Sequence, residues 1–134
     1  MRFLVMGLMT PEDEKAPPPG PEQYAAMQEY NEKAAKSGIL LAAEGLTPTS
    51  QGARVVFDGE ERQVIDGPFA ETKEMVAGFM IIKADSMAEA IAWVKNAPNC
   101  SPGGKGRCEI RKLMDLEDFP QDFVPSEEIE KVKF

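Results

Sequence analysis

Met75-Val76-Ala77-Gly78-Phe79-Met80-Ile81-Ile82-Lys83 is the most apolar stretch of the chain, and its alternation decides the fold. Successive side chains of an extended strand point to opposite faces. Met75, Ala77, Phe79 and Ile81 should therefore share one side, with Val76, Met80 and Ile82 on the other around Gly78. Both sides are apolar, whereas an antiparallel sheet covered on one face alternates between apolar and polar residues. The stretch Arg2 to Met9 repeats the pattern, Phe3 and Val5 standing against Leu4 and Met6. A sheet built on these two strands needs cover on both faces.

Downstream, Ser86-Met87-Ala88-Glu89 reads as a capping box that opens a helix, with Ala90, Ile91, Val94 and Ala97 on its buried side and Pro98 at its end. Gly103-Gly104 marks a flexible turn, and Arg107 to Leu113 alternates as a final strand. Upstream, Ala53 to Phe57 pairs with Arg62 to Ile65 across Asp58-Gly59 as a hairpin, and Ile39 to Leu46 forms another strand. Residues 21–37 form a helix: Pro21 suits a first helical position, Tyr24, Met27, Tyr30 or Asn31, and Ala34 recur at helical spacing, and Gly38 stops it. Thr10 to Gly20, with three consecutive prolines, reads as a loop, either a lid or plain disorder.

This order predicts an α+β domain: a ferredoxin-like antiparallel sheet with both helices on one face and an inserted β-hairpin. Two helices cannot cover two faces. A second copy packed face to face around a two-fold axis supplies the missing cover, so a homodimer through the sheet face is expected. The rival is the acidic extension 115–134 folding back over its own sheet through Leu116, Phe119 and Phe123.

The 134 residues fit a single domain, 1–134, with 43% hydrophobic residues and no apolar run long enough to cross a bilayer. The short apolar N-terminus leads into an acidic, proline-rich segment and not a cleavage site, so a cytoplasmic location is expected. A net charge of −8 with scattered Lys and Arg argues against nucleic acid as a partner. The chain has no histidine, which excludes Ser-His-Asp, Cys-His and histidine-metal chemistry. Cys100 and Cys108 match no redox or zinc spacing and read as structural or incidental thiols. No phosphate loop or paired-cysteine cluster implies a cofactor, although a carboxylate-only metal site remains open.

The run Asp66-Gly67-Pro68-Phe69-Ala70-Glu71-Thr72-Lys73-Glu74 resembles the signature of the DGPF domain, a branch of the YCII-related family. The likeness extends through Asn31-Glu32, Ser37-Gly38-Ile39-Leu40, Glu44-Gly45-Leu46, Gly78-Phe79, Ala88-Glu89-Ala90-Ile91, Glu109-Ile110-Arg111 and Glu117-Asp118-Phe119. It implies a dimeric α/β barrel with a cleft beside the signature. Some relatives are credited with a histidine-aspartate pair in that cleft, a pattern this chain departs from. Others are associated with sigma-like transcription factors, which implies a regulatory or interaction module, with a transcription-related protein as partner, as the alternative to an enzyme.

Physically, Asp66-Gly67-Pro68 suits a rigid turn, with Asp66 bonding the backbone ahead, Gly67 free to take positive φ, and Phe69 anchoring the loop. The same segment gathers Asp66, Glu71, Lys73 and Glu74, a set that could be tuned for proton transfer or for gripping a small polar molecule. Asp66 is the candidate catalytic acid or base. Lys73, Glu71, Glu44, Glu109 and Arg111 are the candidate ligand-binding residues, and Arg107, Glu109 and Arg111 share one face of the last strand. The rival readings are a turn alone for Asp66, a surface salt bridge for Lys73, a solvated strand end for Glu44, and a solvent-facing row for Arg107, Glu109 and Arg111.

Overall fold

The computed structural model describes residues 1–69 and 71–132; Ala70 of the signature and the last two residues of the acidic tail lie outside the described residues. Six strands and four α-helices follow one another as β1 (Arg2–Met9), α1 (Pro11–Lys15), α2 (Pro21–Lys36), β2 (Leu40–Gly45), β3 (Ala53–Asp58), β4 (Glu61–Asp66), β5 (Met75–Lys83), α3 (Met87–Lys95), β6 (Arg107–Lys112) and α4 (Glu127–Glu130). The main sheet is four-stranded and antiparallel, in the order β2-β5-β1-β6, and β3-β4 form a separate two-stranded sheet. With the hairpin set aside, this is the ferredoxin-like βαββαβ order anticipated above. Both sheets are open in the single chain.

Strand register divides the main sheet into two faces. Phe3 pairs with Ile82, and Val5 with both Met80 and Ile110, so these side chains share the helix-covered side. Phe3, Val5, Ile82, Ala84 and Ala90 form the buried core, with Ile39, Leu40, Trp93 and Val94 packed against it. Fully burying residues such as Phe3, Val5 and Ile82 contributes about 1.5–3 kcal/mol each. The opposite side carries the cross-strand row Glu44, Phe79, Met6, Glu109 and, beside it, Ala42, Ile81, Leu4, Arg111.

A bulge departs from strict alternation. Gly7 pairs with Gly78 and Leu8 with Val76, leaving Ala77 without a partner in β1, while its carbonyl accepts from Leu46 N–H on the other side. This slip brings Val76 onto the face of Phe79 and Ile81, the side opposite to the one simple alternation gives it. Close approach suits Gly78 there, since a Cβ at that position would lie 3.0 Å from the Glu44 carbonyl oxygen.

Helices α2 and α3 pack side by side on the covered face. The Tyr30 and Trp93 rings lie 4.7 Å apart, and the Tyr30 hydroxyl donates to the Trp93 carbonyl. Burial pushes the Tyr30 phenol from 10.0 to about 12. On α3, Ala90, Trp93 and Val94 face the core, while Ile91 is 41% exposed, contrary to the expected helix face. The spacing i, i+3, i+4 from Ala90 leaves position 91 outside the stripe. The Ser86 hydroxyl caps α3 by accepting from Glu89 N–H at 3.1 Å, but the Glu89 carboxylate reaches to Asp85 N–H and not back to Ser86.

The proline-rich stretch, expected as a loop, contains α1. Thr10 and Asp13 form a full capping box there, Thr10 Oγ1 accepting from Asp13 N–H and Asp13 Oδ2 from Thr10 N–H. Of the three tail residues expected to cover the sheet, Leu116 is 59% and Phe123 48% exposed, while Phe119 is half-buried and stacks on Phe123. Among the described residues, neither the hairpin nor α4 packs extensively on the sheet. The hairpin turns at Gly59, whose φ of 59° suits the first central residue of a two-residue turn. It leaves Val55, Phe57 and Val64 more than half exposed. No helix among the described residues is long and apolar enough to cross a membrane.

Candidate functional site

The signature segment is clamped at the end of the sheet where β1 finishes and β5 and β6 begin. Asp66 is the last residue of β4, opposite Ala53, and the next residue bonds backward, Gly67 N–H donating to the Gly52 carbonyl at 2.9 Å. Gly67 does not adopt positive φ. Its requirement is space: a Cβ would stand 1.7 Å from the Thr49 carbonyl oxygen. The Gly67-Pro68 peptide is cis.

Thr49 is held from its other side by α1. Its backbone N–H and its hydroxyl donate to the two carboxylate oxygens of Glu14, at 2.9 and 2.8 Å. Phe69 is buried, as an anchor should be, and the Arg54 guanidinium lies 3.9 Å above its ring. The same guanidinium donates to Thr72 Oγ1 at 2.6 Å and to Glu71 at 3.5 Å. Glu74 is paired with Arg107 of β6. Two arginines and one glutamate thus fix the segment at three points, the arrangement expected where a loop must hold one shape.

The candidate residues fall into two groups. Glu44, Glu109 and Arg111 lie on the uncovered face, Glu44 on one edge strand and the other two on the opposite edge, about 14 Å away at ordinary strand spacing. Arg111 and Glu109 pair with each other at 3.4 Å and are exposed. Asp66, Glu71 and Lys73 belong to the signature and are also exposed. Glu71 is partly engaged by Arg54, while neither Asp66 nor Lys73 has a side-chain partner among the described residues. The Asp66 carboxylate makes no bond to the described backbone ahead of it.

Arg54, Glu14 and Thr49 were not visible as site residues from sequence. Arg54 sits in an apolar strand with no local motif, and the Glu14–Thr49 contact spans 35 positions of chain. The free thiols are unremarkable: Cys100 donates to the Gln23 carbonyl, and burial pushes the Cys108 thiol up. Among the described residues, one group of carboxylates, Asp115, Glu117 and Asp118, has the spacing of a cation site. Lys112 already occupies it, with Nζ 2.7 Å from Asp118 and 3.7 Å from Asp115. The hydrogen bond from Lys112, followed by that from Asp115 N–H, holds the Asp118 carboxyl below its ordinary value.

The fold and signature together define an α+β domain of the ferredoxin-like kind. The family model described as the YCII-related domain matches residues 1–116, and the chain belongs to that family. The chain is also 37% identical over 81 residues to an uncharacterized protein of Rhizobium meliloti (strain 1021). That match takes in 60% of this chain, and the chain spans 64% of the relative's length.

Proposed function

We propose that this is a cytoplasmic, homodimeric, small-molecule-binding protein whose two copies pack through the uncovered faces of their main sheets. The observation that carries this reading is the pair of central strands, where Leu4, Met6, Leu8, Val76 and Phe79 stay partly exposed on that face around the buried Ile81, and among the described residues neither the hairpin nor a helix packs extensively along it. Water against such a surface is costly, at roughly 25 cal/mol for each Å² left exposed. A two-fold axis running along the strands brings the β2 edge, with Glu44, opposite the partner's β6 edge, where Arg107 and Arg111 flank Glu109. The exposed apolar residues of the hairpin extend the surface available to a second chain.

Closing two such sheets yields the dimeric α/β barrel and leaves a cleft near the signature loop. Asp66, exposed on one chain, is the carboxylate we assign as acid or base toward a small polar ligand, without a cofactor; Lys73, Glu71, Glu44, Glu109 and Arg111 are the charged groups available to orient it. The clamped signature supports this role, since a rigid loop holds a catalytic carboxylate to one geometry. A thermal-shift screen against a metabolite library, run on the wild type and on Asp66→Asn, tests the assignment, because a ligand of the native state raises the melting temperature by mass action. A ligand whose shift disappears in the variant supports it. Shifts of equal size in both proteins remove Asp66 from the site.

A further inference from the structure

Between the end of β1, the start of α1 and the entry to β6 lies a cleft of about 360 Å³ lined by Leu8, Met9, Thr10, Asp13, Lys105, Gly106 and Arg107. All of its lining comes from one chain, and it shares Leu8 and Arg107 with the sheet face and edge proposed above to pair. The geometry points to this cleft as a binding site for a small organic monocarboxylate with an apolar body, its carboxylate on Lys105 and its carbon skeleton on Leu8 and Met9.

Of the two cations lining the cleft, one is already paired. Asp13 spends one carboxylate oxygen on Thr10 N–H in the cap of α1, at 2.9 Å, and Arg107 is paired with Glu74. Lys105 has no side-chain partner among the described residues. That leaves Lys105 as the one lining cation free to meet a ligand, with the single negative charge of Asp13 across the lining, a balance that admits a monoanion more readily than a dianion. A phosphate dianion would have to draw Arg107 away from Glu74 and would meet the Asp13 carboxylate with twice the charge. The half-buried Leu8 and Met9 favour an organic acid over a small inorganic ion, since a ligand pocket commonly joins apolar walls to a few placed polar groups.

The chain leading to Lys105 is held firmly for an exposed turn. Gly103 and Gly104 take φ of 62° and 72°, and the Asn99 side chain donates to the Gly104 carbonyl at 2.8 Å while accepting from Ser101 N–H at 3.1 Å. After Lys105 the backbone runs hard against Ser101, where a Cβ at Gly106 would stand 2.1 Å from Ser101 Oγ. The turn expected to be flexible is bonded into one shape, and it delivers the unpaired cation to the cleft.

The test uses the full-length chain, titrated with hexanoate, its neutral analogue hexanamide, and inorganic phosphate, and followed by amide chemical shifts in two-dimensional NMR. Saturable shifts with hexanoate are expected at residues 8–13 and 105–107. Lys105→Gln should weaken hexanoate by about tenfold or more, the ordinary effect of losing a charge-assisted bond, while Lys105→Arg should bind within a few-fold of the wild type. Lys105 has no partner to lose, so both variants should melt with the wild type. The assignment is overturned by an absence of saturable shifts in the millimolar range, by hexanamide binding as well as hexanoate, by phosphate binding more tightly, or by hexanoate affinity unchanged in Lys105→Gln.

Discussion

Gly67→Ala examines the signature turn most sharply. The added methyl would stand 1.7 Å from the Thr49 carbonyl oxygen, 2.7 Å from its carbon and 3.3 Å from the Gly52 carbonyl oxygen. All three are backbone atoms, so relief requires the two turns to part by more than an ångström. Parting them stretches the Gly67–Gly52 hydrogen bond and the two bonds from Thr49 to Glu14, and it loosens the burial of Phe69. Overpacking costs about 1–3 kcal/mol and loss of the Gly67–Gly52 hydrogen bond about 1, so a loss of roughly 2–4 kcal/mol is expected. At about 4 °C per kcal/mol for a domain of this size, the melting temperature should fall by roughly 8–16 °C. Gly45→Ala is the control, since nothing lies within 4 Å of a Cβ there and its φ is not positive. Calorimetry on both variants measures the difference, and hydrogen exchange at residues 49–52 shows whether the turns have separated. A Gly67→Ala protein that melts with the Gly45→Ala control and keeps its exchange protection would refute the close-approach argument.

Three further outcomes follow from the packing. Tyr30 ionises later in the folded chain, near 12 against an ordinary 10.0, so its contribution is complete below pH 10 and is lost as pH rises from 10 toward 12. The full difference is roughly 2.7 kcal/mol, and solvent screening at this partly exposed phenol reduces it to about 1; urea unfolding at the two ends of that window should show the loss in the wild type and not in Tyr30→Phe. Asn31 Oδ1 is buried with no hydrogen-bond partner among the described residues, so Asn31→Leu should raise stability by about 1 kcal/mol, read from the urea midpoint; a clear loss would show that the amide is satisfied in solution. Ile82→Ala should cost about 2–5 kcal/mol at a fully buried position, while Ile91→Ala on the exposed side of α3 should stay within about 0.5, and comparable losses at both sites would place the wrong face of α3 on the core.

The strands were legible because their signal is local. Two-sided apolar alternation marked Arg2–Met9 and Met75–Lys83 with the ends the structure gives them, and Asp58-Gly59 located the hairpin. Alternation could not reveal the bulge at Gly7 and Gly78, which turns Val76 to the other face, because a bulge belongs to a pair of strands and not to one. The helix α1 was hidden for a different reason. Five residues are too few to show a period, and the capping box of Thr10 and Asp13 sits among prolines that otherwise read as loop.

At the site, the sequence located the signature and assigned Phe69 its anchoring role, but it gave the wrong reason for Gly67. A glycine needed for positive φ and one needed for close approach look alike until the second segment, here Thr49, is in place. Arg54 and Glu14 were missed because their partners are remote in sequence, and no local pattern records a tertiary ion pair or hydrogen bond. Glu71 and Glu74 were recognised as part of a charged cluster, yet their arginine partners come from β3 and β6.

Packing of two copies through the uncovered sheet face is tested most directly by light scattering coupled to size exclusion, on the wild type and on Met6→Asp, which sets a charge in the middle of that face without touching the helix-covered core. The wild type should elute at twice the mass of one chain at micromolar concentration, and Met6→Asp should elute as a folded single chain with its far-ultraviolet circular dichroism retained. A wild type of single-chain mass, or a Met6→Asp protein that remains a dimer, would contradict the account.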